Sequence, residues 1–148
     1  MIYKPFYRTY RKNIHLTDTS YIYDLRYADH GQRYIDSFKA IQKDLLNLFE
    51  YVHPCDSNKS TYSLRIQDIY VRACIEVEAN FTAIMSENGY FRTNFNMNDF
   101  CKVNKTHFLS DFMVTIPQWE GMLKTINPFS DFKSGSYLQW YRSYNKLK

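Results

Sequence analysis

Two long stretches of helical periodicity, separated by a short proline-bearing polar loop, constrain this chain more than any other feature. Ile35, Phe38, Ile41, Leu45, Leu48, Phe49 and Val52 recur at i, i+3/i+4 spacing, with Asp36, Lys39, Lys43, Asp44 and Glu50 between them. The spacing predicts a helix over 33–53, closed by His53-Pro54, because proline removes a donor and keeps the residue before it out of helical geometry. Leu64, Ile66, Ile69, Tyr70, Ala73, Val77, Phe81, Ile84 and Met85 repeat the pattern and predict a second helix over 61–88. Gly89 stands where a left-handed C-cap is wanted. Two long helices joined by a short loop default to an antiparallel pair.

After Gly89 the periodicity stops. Asn94, Asn96, Asn98 and Asn104 crowd residues 90–135, a loop-rich insertion with a short helical piece over 97–103 opened by Asn98. Phe112 to Ile116, ended by Pro117, is the strand candidate of a short hairpin. From Ser136, read as a cap, Tyr137, Trp140, Tyr144 and Leu147 share one helical face directed at the first two helices. No glycine, proline or cap closes this last helix over 136–148, so its pattern reads as cut off. The expectation is one mainly α-helical domain over 1–148, an antiparallel bundle with a loop and short-hairpin insertion before the last helix. A chain of this length buries roughly 70% of its unfolded surface. With four glycines in the whole chain, loops that approach a nucleotide closely are not expected, and no G-x-S-x-G, Gly-rich nucleotide loop or H-E-x-x-H occurs.

Charge is uneven. Residues 1–12 carry Lys4, Arg8, Arg11 and Lys12 without an acid; residues 133–148 carry Lys133, Arg142, Lys146 and Lys148, again without one. All 15 acids therefore lie in between, and basic ends on a mildly acidic body suit a polyanion. Residues 1–32 form an aromatic and basic arm in which Tyr3, Phe6, Tyr7, Tyr10, Tyr21, Tyr23 and Tyr27 alternate with cations and turn formers. Such an arm either packs its rings on the core or stacks bases.

Cys55, Cys74 and Cys101 show no metal-ligand or paired spacing, so they read as ordinary thiols of a reducing compartment. His53, Cys55 and the distant His107 make a poor zinc set, and neither a metal nor a cofactor is implied. No apolar run approaches the roughly 20 residues of a membrane span, and the basic N-terminus lacks a signal peptide's apolar stretch. A cytoplasmic protein is expected. The sequons at Asn58, Asn80 and Asn104 carry no weight there.

Two segments carry a family resemblance. The stretch Arg72-Ala-Cys-Ile-Glu-Val-Glu78-Ala-Asn80-Phe81, whose Arg72 and Glu76 stand at i, i+4, and the ending Trp140-Tyr-Arg-Ser-Tyr144-Asn145-Lys resemble uncharacterised bacterial proteins of the HEPN type. The resemblance covers most of the chain from about residue 33. It implies a helical bundle, frequently a homodimer through the last helix, with Arg142 and Asn145 near the two-fold axis. It also implies RNA or tRNA as partner and metal-independent RNA cleavage, in a toxin or phage-defence setting. In such proteins an arginine holds the phosphate and a histidine, with four to six residues between the two, moves the proton, a sensible division between a fixed fork of donors and a group titrating near neutrality. Here the remnant is Arg142, Tyr144 and Asn145: Tyr144 occupies the arginine position in one register, Arg142 in the other. Both registers place the histidine one position past Lys148. Arg8 and His15 have the spacing of the second register, but in the irregular arm, and His30 and His107 lie in polar loops where no sequence neighbour would make either a base. The chain is therefore expected to bind RNA through Lys4, Arg8, Arg11, Lys12, Arg142, Lys146 and Lys148 without cleaving it. The competing expectation is a non-catalytic helical module that docks a protein.

Overall fold

The computed structural model describes residues 31–147 of the chain. The fold is mainly helical. Helix α1 spans Gly31–Phe49 and α2 spans Leu64–Glu87. Short helices α3 (Met97–Phe100) and α4 (Asn104–His107) follow, then a hairpin of β1 (Val114–Thr115) and β2 (Thr125–Ile126), then α5 (Gln139–Asn145).

The helix ends differ from the periodic expectation for local reasons. Helix α1 stops at Phe49 rather than 53, because Tyr51 N–H turns back to Leu48 carbonyl at 3.0 Å ahead of Pro54. Helix α2 begins at Leu64 rather than 61, since Thr61 N–H is still held in a turn by Asn58 carbonyl at 2.9 Å. Ser63 is the cap, its hydroxyl accepting from Ile66 N–H at 3.1 Å. At the other end Gly89 has φ +78, the left-handed geometry expected of it.

The cap of α3 is Asn96, not Asn98. Asn96 Oδ1 accepts from Asn98 N–H at 3.0 Å and Asp99 N–H at 3.3 Å, while Asp99 Oδ2 accepts from Asn96 N–H at 3.1 Å. This reciprocal box satisfies the orphan donors of a helix too short to hold itself. The strand expected over 112–116 shrinks to two residues, because Phe112 N–H closes a 3-10 turn onto Leu109 carbonyl at 3.0 Å. Val114 pairs with Ile126 and Thr115 with Thr125.

The buried core is not between α1 and α2. It gathers Cys74, Phe81 and Met85 of α2 with Met97, Phe100, Val103, Phe132, Leu138, Tyr141 and Tyr144. Helix α1 contributes no buried side chain among the described residues: Phe38, expected on its apolar stripe, is 61% exposed, as Leu64 of α2 is at 77%. The apolar stripe of α1 is half-buried at Ile35, Ile41, Leu45, Leu48 and Phe49, and ion pairs add to its hold on α2. Asp44 receives Arg72 Nη2 at 2.6 Å and Arg65 Nη2 at 3.3 Å, and Arg72 also meets Asp68 at 3.1 Å. The i, i+4 partner of Arg72 is thus Asp68 behind it, rather than Glu76 ahead. The hydrogen bond from Arg72 holds the Asp44 carboxyl below its ordinary value.

The loop before α2 is tied to the insertion by backbone hydrogen bonds, Asp56 N–H to Glu120 carbonyl at 3.1 Å and Glu120 N–H to Pro54 carbonyl at 2.8 Å, and by the Asp56 carboxylate. Asp56 accepts from Trp119 Nε1–H at 2.8 Å, Met122 N–H at 2.7 Å and Leu123 N–H at 3.3 Å. Gly121 approaches so closely, at φ +128, that any Cβ there would collide with the Asp56 carboxylate. These donors, Trp119 first, hold the Asp56 carboxyl below its ordinary 3.8. With the folded value lower than the unfolded one, the stabilisation is complete above the unfolded value and is lost as pH falls through the folded one. In a Trp140→Phe background, Trp119 fluorescence should therefore change as pH drops below 3.8. Asp56→Ala should show the low-pH signal already at pH 7. Identical titrations of the two proteins would sink this assignment.

Candidate nucleic-acid interface

Helix α5 is set by its inner side. Leu138, immediately before it, is fully buried, and Tyr141 and Tyr144 are 8% and 2% exposed. Both tyrosine hydroxyls donate to the carboxylate of Glu78 on α2, Tyr144 at 3.1 Å to Oε2 and Tyr141 to Oε1. Burial, followed by the carboxylate's hydrogen bond and charge, pushes the Tyr141 hydroxyl well above its ordinary range, so it stays a neutral donor. Tyr70 donates to Trp140 carbonyl, and burial pushes its hydroxyl up to about 12. Trp140, half-buried, gives its indole N–H to Pro128 carbonyl at 2.8 Å and stands edge-on to Phe129.

The inward face is therefore Leu138, Trp140, Tyr141 and Tyr144. Tyr137 and Leu147, expected inside, are 43% and 48% exposed. The reason is where the helix starts. Ser136 does not cap it; its hydroxyl meets Ser134 Oγ at 2.9 Å, outside the helix. The first helical residue is Gln139, whose N–H donates to Asp131 Oδ2 at 3.2 Å. Tyr137 thus precedes the helix and Leu147 follows its C-cap Lys146, so neither obeys the helical phase.

The outer side carries the predicted polar residues. Arg142, Asn145 and Lys146 are all exposed and lie at i, i+3 and i+4, one patch of two cations and an amide. Arg142 Cζ lies over the Tyr137 ring, 5.5 Å from its centroid. Tyr144 is not part of this patch. Lys4, Arg8, Arg11 and Lys12, with His15 and His30, fall outside the described residues, as does Lys148.

The remaining candidates are engaged elsewhere. His53 Nε2 meets Glu120 Oε2 at 3.1 Å, and His107 Nδ1 lies 2.9 Å from Thr106 Oγ1. Among the described residues no group of three or more His, Cys, Asp or Glu is arranged to hold a metal ion, so His53, Cys55 and His107 are not gathered. The three sequon amides donate within the fold: Asn58 to His53 carbonyl at 2.9 Å, Asn80 to Glu76 carbonyl at 2.8 Å, Asn104 to Ser110 Oγ at 3.2 Å. Among the described residues, no helix is long and apolar enough to cross a membrane.

Sequence reasoning missed two residues here. Tyr137 was placed on the wrong side. Glu78 did leave a signal: Cys74, Glu78, Phe81 and Met85 follow one another at helical spacing, so a carboxylate interrupts a buried stripe and demands donors. Comparison with protein-family models, curated proteins and solved structures returns no match.

Proposed function

We propose that this chain is a HEPN-like helical domain whose last helix contacts the phosphates of RNA or tRNA, in a toxin or phage-defence setting, and which does not itself cleave RNA. The observation that carries this reading is the sorting of α5: Tyr144 turns inward while Arg142, Asn145 and Lys146 share the exposed side. That sorting favours Arg142 over Tyr144 as the phosphate-binding position. A guanidinium presents a planar fork to phosphate oxygens, with a lysine one turn on adding a point charge. No acid occurs from Lys133 to Lys148 to oppose an anion. The proposal includes a homodimer formed through this helix.

Phosphate contacts release counterions, so affinity should fall linearly in a plot of log K against log salt. Arg142→Ala combined with Lys146→Ala should weaken RNA binding and reduce that slope by about 1.4 for a single strand, roughly 0.7 per lost contact. Fluorescence anisotropy with labelled RNA over a salt series reads both. Binding without salt sensitivity, or a slope unmoved by the double variant, would overturn the proposal. The protein-docking reading has its own observation: Phe108, Phe112, Met113 and Met122 are 67%, 53%, 64% and 91% exposed along the insertion. Phe108 moreover holds a left-handed φ of +53, uncommon for a bulky side chain. A partner captured there would be indifferent to Arg142→Ala.

A further inference from the structure

We propose that Tyr137, with Arg142 over its ring, is a stacking platform for an unpaired nucleobase, which makes this surface select single-stranded over duplex RNA. The inference rests on the RNA-binding reading and adds to it the form of the ligand. Tyr137 is 43% exposed, yet the chain that follows it is firmly anchored. Leu138, next in the chain, is fully buried, and the helix that carries Arg142 is anchored by Tyr141 and Tyr144 on Glu78. The N–H of Gln139, first in that helix, is held by Asp131. A tyrosine on free chain would lose more conformational entropy on stacking than one joined directly to the buried Leu138 and overlaid by the Arg142 guanidinium.

The pairing supplies both chemistries that an unpaired nucleotide needs. The ring, or the guanidinium plane over it, offers a flat face to a base, and the charge of Arg142 with that of Lys146 one turn on offers phosphate contact beside it. Bases in an A-form duplex are already stacked on each other, and only phosphates and sugar hydroxyls remain for this patch. Stacking is indifferent to base identity, so the selection is for strandedness and not for sequence.

The test compares one labelled RNA of mixed sequence as a single strand and as a duplex with its complement, on the full chain. The wild-type protein should bind the single strand more tightly. Tyr137→Leu, which keeps an apolar side chain but removes the ring, should weaken single-strand binding on the order of 10-fold and leave duplex binding unchanged. Tyr137→Phe should behave as wild type. A 2-aminopurine placed in the single strand should lose fluorescence on the wild-type and Tyr137→Phe proteins and keep it on Tyr137→Leu. Because Tyr137 lies outside the core, unchanged far-ultraviolet dichroism is expected of both variants. Equal wild-type affinity for the two RNA forms overturns the inference, as does Tyr137→Leu retaining single-strand binding and quenching. If the Arg142 and Lys146 double variant weakens binding while Tyr137→Leu does not, the phosphate reading stands and the stacking platform falls. If the wild-type protein shows no salt-sensitive RNA binding, both fall together.

Discussion

Phe100→Ala should lower the stability of this protein by about 3–5 kcal/mol, the usual cost of emptying an aromatic site that cannot collapse. Phe100 is 2% exposed, its ring 5.2 Å from Phe81 and 6.2 Å from Phe95, centroid to centroid. It is also the last residue of the four-residue helix α3, which has no independent stability and depends on this packing and the Asn96–Asp99 box. Against a typical total of about 5–15 kcal/mol, the loss removes a large share of the folded state's advantage. Phe38→Ala makes the internal contrast. Phe38 belongs to the longer, more obviously amphipathic helix, yet at 61% exposure it should cost only a few tenths of that amount. Urea denaturation followed by circular dichroism reads both as shifts in midpoint at constant slope. Equal shifts would mean that the core does not lie where α2, α3 and α5 meet.

That contrast shows what helical periodicity conveys and what it leaves out. Periodicity located α1 and α2, and the glycine after α2, because each depends on residues within one or two turns. It conveyed which side of α1 is apolar but not how much covers that side, a property of tertiary packing. The insertion was illegible for a different reason. Asp56 and Trp119 meet across 63 residues, and the hairpin pairs two residues on each strand, too few for alternation to register. Asn96 and Asn98 are equally good caps by type; the choice falls to Asn96 because Asp99 then stands at the third helical position and completes the box.

In the candidate site, residue type was legible and orientation was not. Arg142, Asn145 and Lys146 are readable as an exposed polar group from spacing alone. Tyr144 is identical in type to Tyr137 and was expected on the same inward face; Tyr144 lies there and Tyr137 does not, because the helix starts at Gln139 and leaves Tyr137 ahead of it. The cap moves two residues, from Ser136 to Leu138, and a residue left ahead of the cap no longer follows the 3.6-residue phase. The phase is fixed by Glu78, a residue on another helix. Its own stripe marks it as a half-buried acid, while nothing in the chain says that its donors are tyrosines more than 60 positions away.

The seam at Glu78 gives the second large effect. Glu78→Leu should destabilise the protein by on the order of 3 kcal/mol, since the half-buried hydroxyls of two buried tyrosines each lose their carboxylate acceptor at about 1–3 kcal/mol apiece. The loss belongs to the hydroxyls left behind more than to the carboxylate removed. Adding Tyr141→Phe and Tyr144→Phe to Glu78→Leu should therefore recover much of it, because replacing both sides of a buried polar contact by apolar groups is close to neutral. Thermal melts of wild type, Glu78→Leu and the triple variant measure the difference. A neutral Glu78→Leu, or a triple variant no better than the single one, would show that the tyrosines do not depend on this acid. The consequence reaches the outer surface, because the same contact sets the rotation of α5. Glu78→Leu should weaken salt-sensitive RNA binding although Glu78 presents nothing to an anion, and the triple variant should restore binding together with stability. Recovery of stability without recovery of binding would separate the helix's orientation from the affinity of Arg142 and Lys146 for phosphate.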